Sequence, residues 1–168
     1  MQHTLFDSER LMFRPFELKD AQDFFELNQD LEVLKYTGDQ PFASVDAARV
    51  FIENYNQYEL HGMGRWAVIR KTDHAFLGWC GLKYRPEQET VDLGYRLKKA
   101  YWGEGYATEA AQACLKYGFE TLQLKRIIAR AMKENKASIR VIEKVGMSFV
   151  GETICDLHDA LEFEIFSK

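Results

Sequence analysis

Prolines are scarce in this sequence: Pro15, Pro41 and Pro86 are the only three among 168 residues. No Gly/Ser-rich stretch, repeat or low-complexity tract divides the chain, so nothing reads as a linker between domains. Cysteine is equally sparse, with Cys80, Cys114 and Cys155 widely spaced and no Cys-x-x-Cys pair. An odd, scattered set excludes a disulfide framework and a cysteine-based zinc site, and it suits buried, reduced thiols in the cytoplasm. Basic charge is not in excess either: 22 Lys and Arg stand against 26 Asp and Glu, for a net charge of −4. A chain devoted to gripping nucleic acid needs a basic surplus or stripe, so no direct nucleic-acid binding is expected. No apolar run approaches the ~20 residues that cross a bilayer. The opening MQHTLFDSERLMF lacks the basic-then-apolar pattern of an export signal, so neither export nor membrane insertion is expected. The histidines His3, His61, His74 and His158 do not gather at helical or strand spacing, and no metal site is expected from them.

What the chain does have is core material. Hydrophobic residues make up 46% and aromatics 14%, enough for one sizeable core in a length too short for two ordinary domains. A single domain over residues 1–168 is the expectation. Strands are predicted over Arg10–Arg14, Arg65–Arg70, Ala75–Tyr84, Thr90–Leu97, Lys125–Met132, Ser148–Cys155 and Ala160–Phe166. The turn residues Arg85-Pro86-Glu87 join two of them as a hairpin. Helices are predicted over Lys19–Asn28, over Ser44–His61 with Ser44 as N-cap, from Gly105 to Thr121, and over Asn135–Val145. Small apolar residues of the third helix, among them Ala107, Ala111, Cys114 and Gly118, repeat at helical spacing and suit close packing on a sheet. The order does not alternate strand and helix strictly. It predicts an α+β (mixed α/β) layered fold with a mixed sheet rather than a doubly wound one.

The stretch richest in chemistry is Asp92-Leu93-Gly94-Tyr95-Arg96-Leu97, then Lys98-Lys99-Ala100-Tyr101-Trp102-Gly103-Glu104-Gly105-Tyr106-Ala107-Thr108. It reads as a strand, a loop with two glycines and the start of a long helix. Glycine lets main-chain N–H groups approach a ligand with no Cβ in the way. The first helical turn adds unpaired donors and partial positive charge, so the combination suits phosphate. An ordinary helix-entry turn explains Gly-x-Gly equally well. A dinucleotide fingerprint does not fit, because Thr108 stands where its third glycine belongs.

The longer pattern narrows the choice. DLGYRL, KKAYWGEGYATEA, KRIIARAM and NKASIRVIEKVGM, preceded by SERLMFRPFELKDAQDFFELNQD and FLGWCGL, closely resemble the GNAT superfamily of acyl-CoA-dependent N-acetyltransferases. Within it the chain is most similar to the ribosomal-protein N-terminal (serine/alanine) acetyltransferases. The resemblance covers nearly the whole chain. It implies a central mixed, mostly antiparallel sheet of about seven strands with a V-shaped splay, flanked by about four helices. It also implies acetyl-CoA as co-substrate, no metal, and direct transfer to a primary amine.

Several site residues follow from that resemblance. The N–H groups of Gly103, Glu104, Gly105, Tyr106, Ala107 and Thr108 would bind the pyrophosphate; Trp102 stands at the family's Gln/Arg position. The strand residues Gly94, Tyr95, Arg96 and Leu97 would line the pantetheine arm, with a main-chain N–H near Gly94–Tyr95 receiving the thioester oxygen. Asn135 would hold the pantetheine amide, and Ser138 would donate to the departing thiolate. Relatives often place a tyrosine seven residues after that asparagine, where this chain has Ile142. Asp92 is the candidate base, against the alternative of a solvated strand-end residue. Ser138 has a bland alternative too, a bond to its own helix. Glu162 and Glu164 share a strand face and would suit a cationic amine, or merely cover an exposed sheet. His61 and Trp79 are candidates for the acceptor border, with Trp66 and Trp79 also reading as core. A protein N-terminus is the first acceptor implied; a polyamine, amino acid or aminoglycoside-like amine is the second. A non-catalytic acyl-CoA-binding module and a nucleotide-binding oxidoreductase are the other classes considered, and a monomer or homodimer is expected.

Overall fold

A computed structural model describes residues 3–168; Met1 and Gln2, part of the opening read for an export signal, lie outside the described residues. One mixed sheet of eight strands organises the chain, in the order β1-β2-β3-β4-β5-β6-β8-β7. Its strands are β1 (Phe6–Asp7), β2 (Leu11–Arg14), β3 (Arg65–Arg70), β4 (Phe76–Arg85), β5 (Thr90–Leu97), β6 (Arg126–Met132), β7 (Ser148–Cys155) and β8 (His158–Phe166). All neighbours are antiparallel except β5 and β6. The expected mixed, mostly antiparallel sheet with helices on its faces is therefore present. One strand more than anticipated appears: β1 has two residues, too few for a period-two pattern to register.

The helices are α1 (Ala21–Leu27), α2 (Leu31–Leu34), α3 (Val45–Glu53), α4 (Gln57–His61), α5 (Tyr106–Glu120) and α6 (Lys136–Lys144). The segment read as one helix from Ser44 to His61 is two, because Asn54 closes α3 with non-helical angles before Asn56 opens α4. Asparagine competes for backbone hydrogen bonds at such points. Ser44 caps as expected, its hydroxyl accepting from the Ala47 N–H at 3.1 Å.

Alternation along β4 divides the core. Cys80 and Leu82 face α5, packing with Ala110, Ala111, Cys114 and Leu115, while Trp79 faces α1 and α3 with Phe24, Ala48 and Ile52. Under the second face, Arg14 and Asp20 form a buried pair with two bonds of 2.8 Å. That pair fixes the turn from β2 into α1 at a bidentate geometry.

Candidate functional site

The parallel junction of β5 and β6 is the weak seam of the sheet. Only Asp92↔Ile128 is registered between them, whereas β4 and β5 pair from Gly78↔Leu97 to Arg85↔Thr90. Beyond Asp92 the two strands part, and Leu93–Leu97 have no ladder partner on the β6 side. Backbone groups there are left for a ligand. A cavity of about 360 Å³ occupies this opening and takes lining residues from both faces of the sheet.

On the α5/α6 face it is lined by Leu93, Tyr95, Ala111, Ala131, Asn135, Ser138, Val141, Ile142 and Val145. Asn135 caps α6, its side-chain oxygen accepting from the Ser138 N–H at 3.2 Å, which leaves its amide NH₂ for another partner. Ser138, Val141 and Val145 lie on one face of α6, turned to the opening. They are half-buried because the cavity lies against them. Among the described residues the Ser138 hydroxyl makes no bond to its own helix. Its neighbour is the phenol of Tyr95. Burial pushes the Tyr95 pKa up and the interaction with Ser138 offsets it only in part, so the phenol keeps its proton through the neutral range. Sequence reasoning placed Tyr95 here for its backbone and missed its side chain. The available signal was strand alternation, which puts Tyr95 opposite Cys80 on the α5 face.

On the other face stand Arg65, Trp79, Lys83, Arg85, Asp92, Arg96 and Arg130, covered by Tyr36, Thr37 and Asp39 on one side and Cys155 and Asp156 on the other. Asp92 is not a solvated strand end. Its side chain is only 12% exposed and accepts from Arg85 at 2.8 and 2.7 Å. Burial raises its pKa against the pull of Arg85, which keeps the carboxyl closer to a proton-accepting range than an ordinary aspartate. The Arg96 side chain lies on this face too, holding Asn28 at 2.5 Å and Asp39 at 2.7 Å.

The glycine loop follows β5. Gly103 and Gly105 have φ of +79° and +81°, a region natural for glycine. A Cβ at Gly103 would meet nothing within 4 Å, while one at Gly105 would face Arg10 Nη2 at 3.4 Å. Open space over Gly103 is what an approaching phosphate requires; at Gly105 the backbone angle is the constraint. The loop is held from the far edge of the sheet. Arg10 donates to the Glu104 carbonyl at 3.0 Å and to Glu109 at 2.9 Å, and Ser8 donates to Glu109 at 2.7 Å. Glu109 sits in the first turn of α5, where burial raises its pKa but the bonds from Arg10 and Ser8 outweigh that and hold it low. Trp102 folds back, its indole N–H donating to the Leu97 carbonyl at 2.9 Å. Leu97 and Tyr106 are buried and do not line the opening.

Four other candidates lie elsewhere. His61 stacks on Tyr84 at 5.0 Å and borders a separate surface cavity with Met63 and Val91. Trp66 is core, 1% exposed. Glu162 and Glu164 are bound to Arg130 and Arg126 at 2.9 and 2.7 Å and do not line the opening, so these two acids form no groove there.

Comparison with known proteins agrees with this geometry. Residues 10–148 match the family model of the acetyltransferase (GNAT) domain. An uncharacterized N-acetyltransferase p20 of Bacillus licheniformis is 35% identical over 146 residues, covering 86% of this chain and 82% of that protein. The spermidine N(1)-acetyltransferase of Escherichia coli K12 is 26% identical, covering 83% of this chain and 73% of that one. The crystal structure of a GNAT-family acetyltransferase from Bacillus anthracis superposes with a TM-score of 0.84 at 33% identity, over 95% of this chain and 96% of that one. A ribosomal L7/L12 α-N-protein acetyltransferase in complex with coenzyme A gives a TM-score of 0.84 at 16% identity over 98% of both chains, a likeness of fold.

Proposed function

Because this chain belongs to the GNAT acetyltransferase family, we propose that it moves an acetyl group from acetyl-CoA to a primary amine inside the opening between β5 and β6. The observation that carries the reading is the seam itself: one registered pair, then a cavity lined from both faces. One substrate enters from the α5/α6 side and the other from the α1/α3 side, which suits a ternary complex. The glycine loop, free of side chains over Gly103 and opening a 15-residue helix, fits a pyrophosphate. Main-chain N–H groups of Gly103 to Thr108 hold it, and the side-chain NH₂ of Asn135 meets an amide of the pantetheine arm.

Acetyl-CoA supplies the acetyl group as a thioester. A backbone N–H near Gly94–Tyr95 donates to its oxygen as negative charge gathers there. The amine nitrogen forms the new bond to the acetyl carbon while the bond to sulfur breaks. Ser138, backed by the protonated Tyr95 phenol, gives a proton to the sulfur; Asp92, directly or through water, takes one from the nitrogen. The separation of the two groups onto opposite faces matches the two ends of the transfer. Cys80 and Cys114 are wholly buried in the core, and Cys155, which lines the opening, has its thiol pKa pushed up by burial and then by Asp156, so direct attack is favoured over an acylated cysteine. Unpaired thiols suit a reducing, cytoplasmic setting.

A protein N-terminus remains the acceptor implied by the ribosomal-type motifs. A polyamine is the less favoured acceptor, because Glu162 and Glu164, the acids that would welcome its several charges, are paired with Arg130 and Arg126. The test is thiol release from acetyl-CoA with a panel of amines, including peptides starting with Ala, Ser or Thr, each product read by intact mass. A mass gain of one acetyl group on an amine, with thiol released in equal amount, is expected. Tight acetyl-CoA binding with no acetylated amine would instead favour a non-catalytic acyl-CoA-binding module.

A further inference from the structure

The α1/α3 side of the cavity has more donors than acceptors. Three of its cations are matched: Arg85 with Asp92 at 2.7 Å, Arg96 with Asp39 at 2.7 Å and Arg130 with Glu162 at 2.9 Å. Arg65 and Lys83 line the same wall and have no carboxylate partner among the described residues. The Arg65 guanidinium lies over the Trp79 ring, 4.4 Å from its centroid, which holds it without neutralising it. Two further donors are buried and unsatisfied, Trp79 Nε1 and Arg96 Nε, on residues that are 6% and, for the side chain, 9% exposed. Buried N–H groups of this kind are rare unless a partner arrives with a ligand. Asp156 is the lining acid with no cationic partner among the described residues; it accepts only from the Cys155 thiol, at 3.8 Å, and sits exposed on the β7–β8 turn at the rim.

We propose that the acceptor carries a carboxylate or comparable anion beside its amine, and that Arg65, with Lys83, receives that anion on the α1/α3 side of the opening. This rests on the acetyl-transfer reading and names its substrate class. The cross-strand register supports the placement. Arg65 pairs with Gly81 and Gly81 with Gly94, so Arg65 lies across one glycine from the strand position that faces the thioester. No side chain at Gly81 or Gly94 intervenes. An anion on Arg65 therefore leaves a nearby amine directed at the seam, while the exposed Asp156 meets the ammonium form as it enters. Burial, together with repulsion from Arg96 and Arg85, lowers the Arg65 pKa although Tyr55 and Asp39 pull it up; Lys83 is lowered by burial and then by Arg65 and Arg85. A bound anion relieves that crowding. A free amino acid and the first residues of an acidic peptide share this chemistry.

The experiment compares acceptors in matched pairs: glycine, alanine, aspartate and glutamate against their amides, a tetrapeptide with acidic second and third residues against its Asn/Gln counterpart, and spermidine. The carboxylate member of a pair should show the higher kcat/KM by about ten- to a hundredfold, the usual range for one charge-assisted bond. Arg65→Met should erase that ratio and Arg65→Lys should restore part of it, with acetyl-CoA affinity held; Lys83→Met should reduce it. The amino acid and peptide arms identify the source. Equal or better use of the amides or of spermidine by the wild type, or an intact ratio in Arg65→Met with a normal melting curve, overturns the proposal. Calorimetric binding of the same carboxylates to the coenzyme A complex separates the two readings. Carboxylates bound by the wild type but not by Arg65→Met, with no turnover of any amine, would sink the catalytic reading and leave the anion site standing. No binding and no turnover would sink both.

Discussion

Gly105→Val should weaken acetyl-CoA binding by roughly a hundredfold or more while the protein stays folded. Gly105 begins α5 at φ +81°, where a β-branched residue is a genuine outlier. Forcing valine there costs about 1–3 kcal/mol, or the loop moves to a different path. Either way the N–H groups of the following turn lose their common direction. Loss of two or three anion contacts at ~1.5 kcal/mol each gives the stated change in affinity. The loop is exposed, so melting should fall by only a few degrees. Gly105→Asn is the sharper control, because asparagine tolerates left-handed angles and should retain most of the binding. Calorimetry on the three proteins checks this. A valine variant with wild-type affinity would remove the loop from the cofactor site.

Ser138→Ala should lower kcat by about ten- to a thousandfold, the range for losing one proton donor or one bond to developing charge. The contact matters most when sulfur carries charge, so acetyl-CoA affinity should hardly change. Tyr95 refines the expectation. If phenol and hydroxyl form one relay, Tyr95→Phe lowers kcat as well, and the double variant is little worse than the worse single one. A coenzyme A thiol titrates near ~8.5, so the rate of the alanine variant should recover in part as the pH falls and solvent supplies the proton. A serine with only a local structural task would lower stability slightly and leave kcat intact. Saturating both substrates and following thiol release, alongside a thermal melt, separates these outcomes.

Much of this was legible in the residues, and the gaps have physical causes. Three strands, Arg65–Arg70, Thr90–Leu97 and Ser148–Cys155, stand where their residues placed them, because six- to eight-residue runs carrying β-branched and aromatic side chains register as strands whether one face is buried or not. The short elements Phe6–Asp7 and Leu31–Leu34 carry too few residues for any period. Asn135 and Ser138, three residues apart, were readable from the family resemblance, and both line the opening. Strand alternation gave the face of the Tyr95 phenol but not its place beside Ser138, which depends on how β5 packs under α6. Charge pairing was the least readable. Glu162 and Glu164 look like free acids in a linear sequence, yet their cross-strand neighbours Arg130 and Arg126 neutralise them. The unpaired Arg65 was hidden for the same reason, as its isolation is a property of what surrounds it.

Glu109 is reached by Ser8 and Arg10, so the first strands of the chain and the glycine loop are parts of one mechanical unit. Ligand affinity and the docking of that edge are then thermodynamically linked: whatever steadies one steadies the other. Acetyl-CoA bound at the loop should slow amide exchange in β2, some ninety residues away along the sequence but a single side chain away in space. Conversely, an extension that peels the Ser8–Arg10 turn from α5 would loosen the grip on coenzyme A without touching a ligand-binding residue.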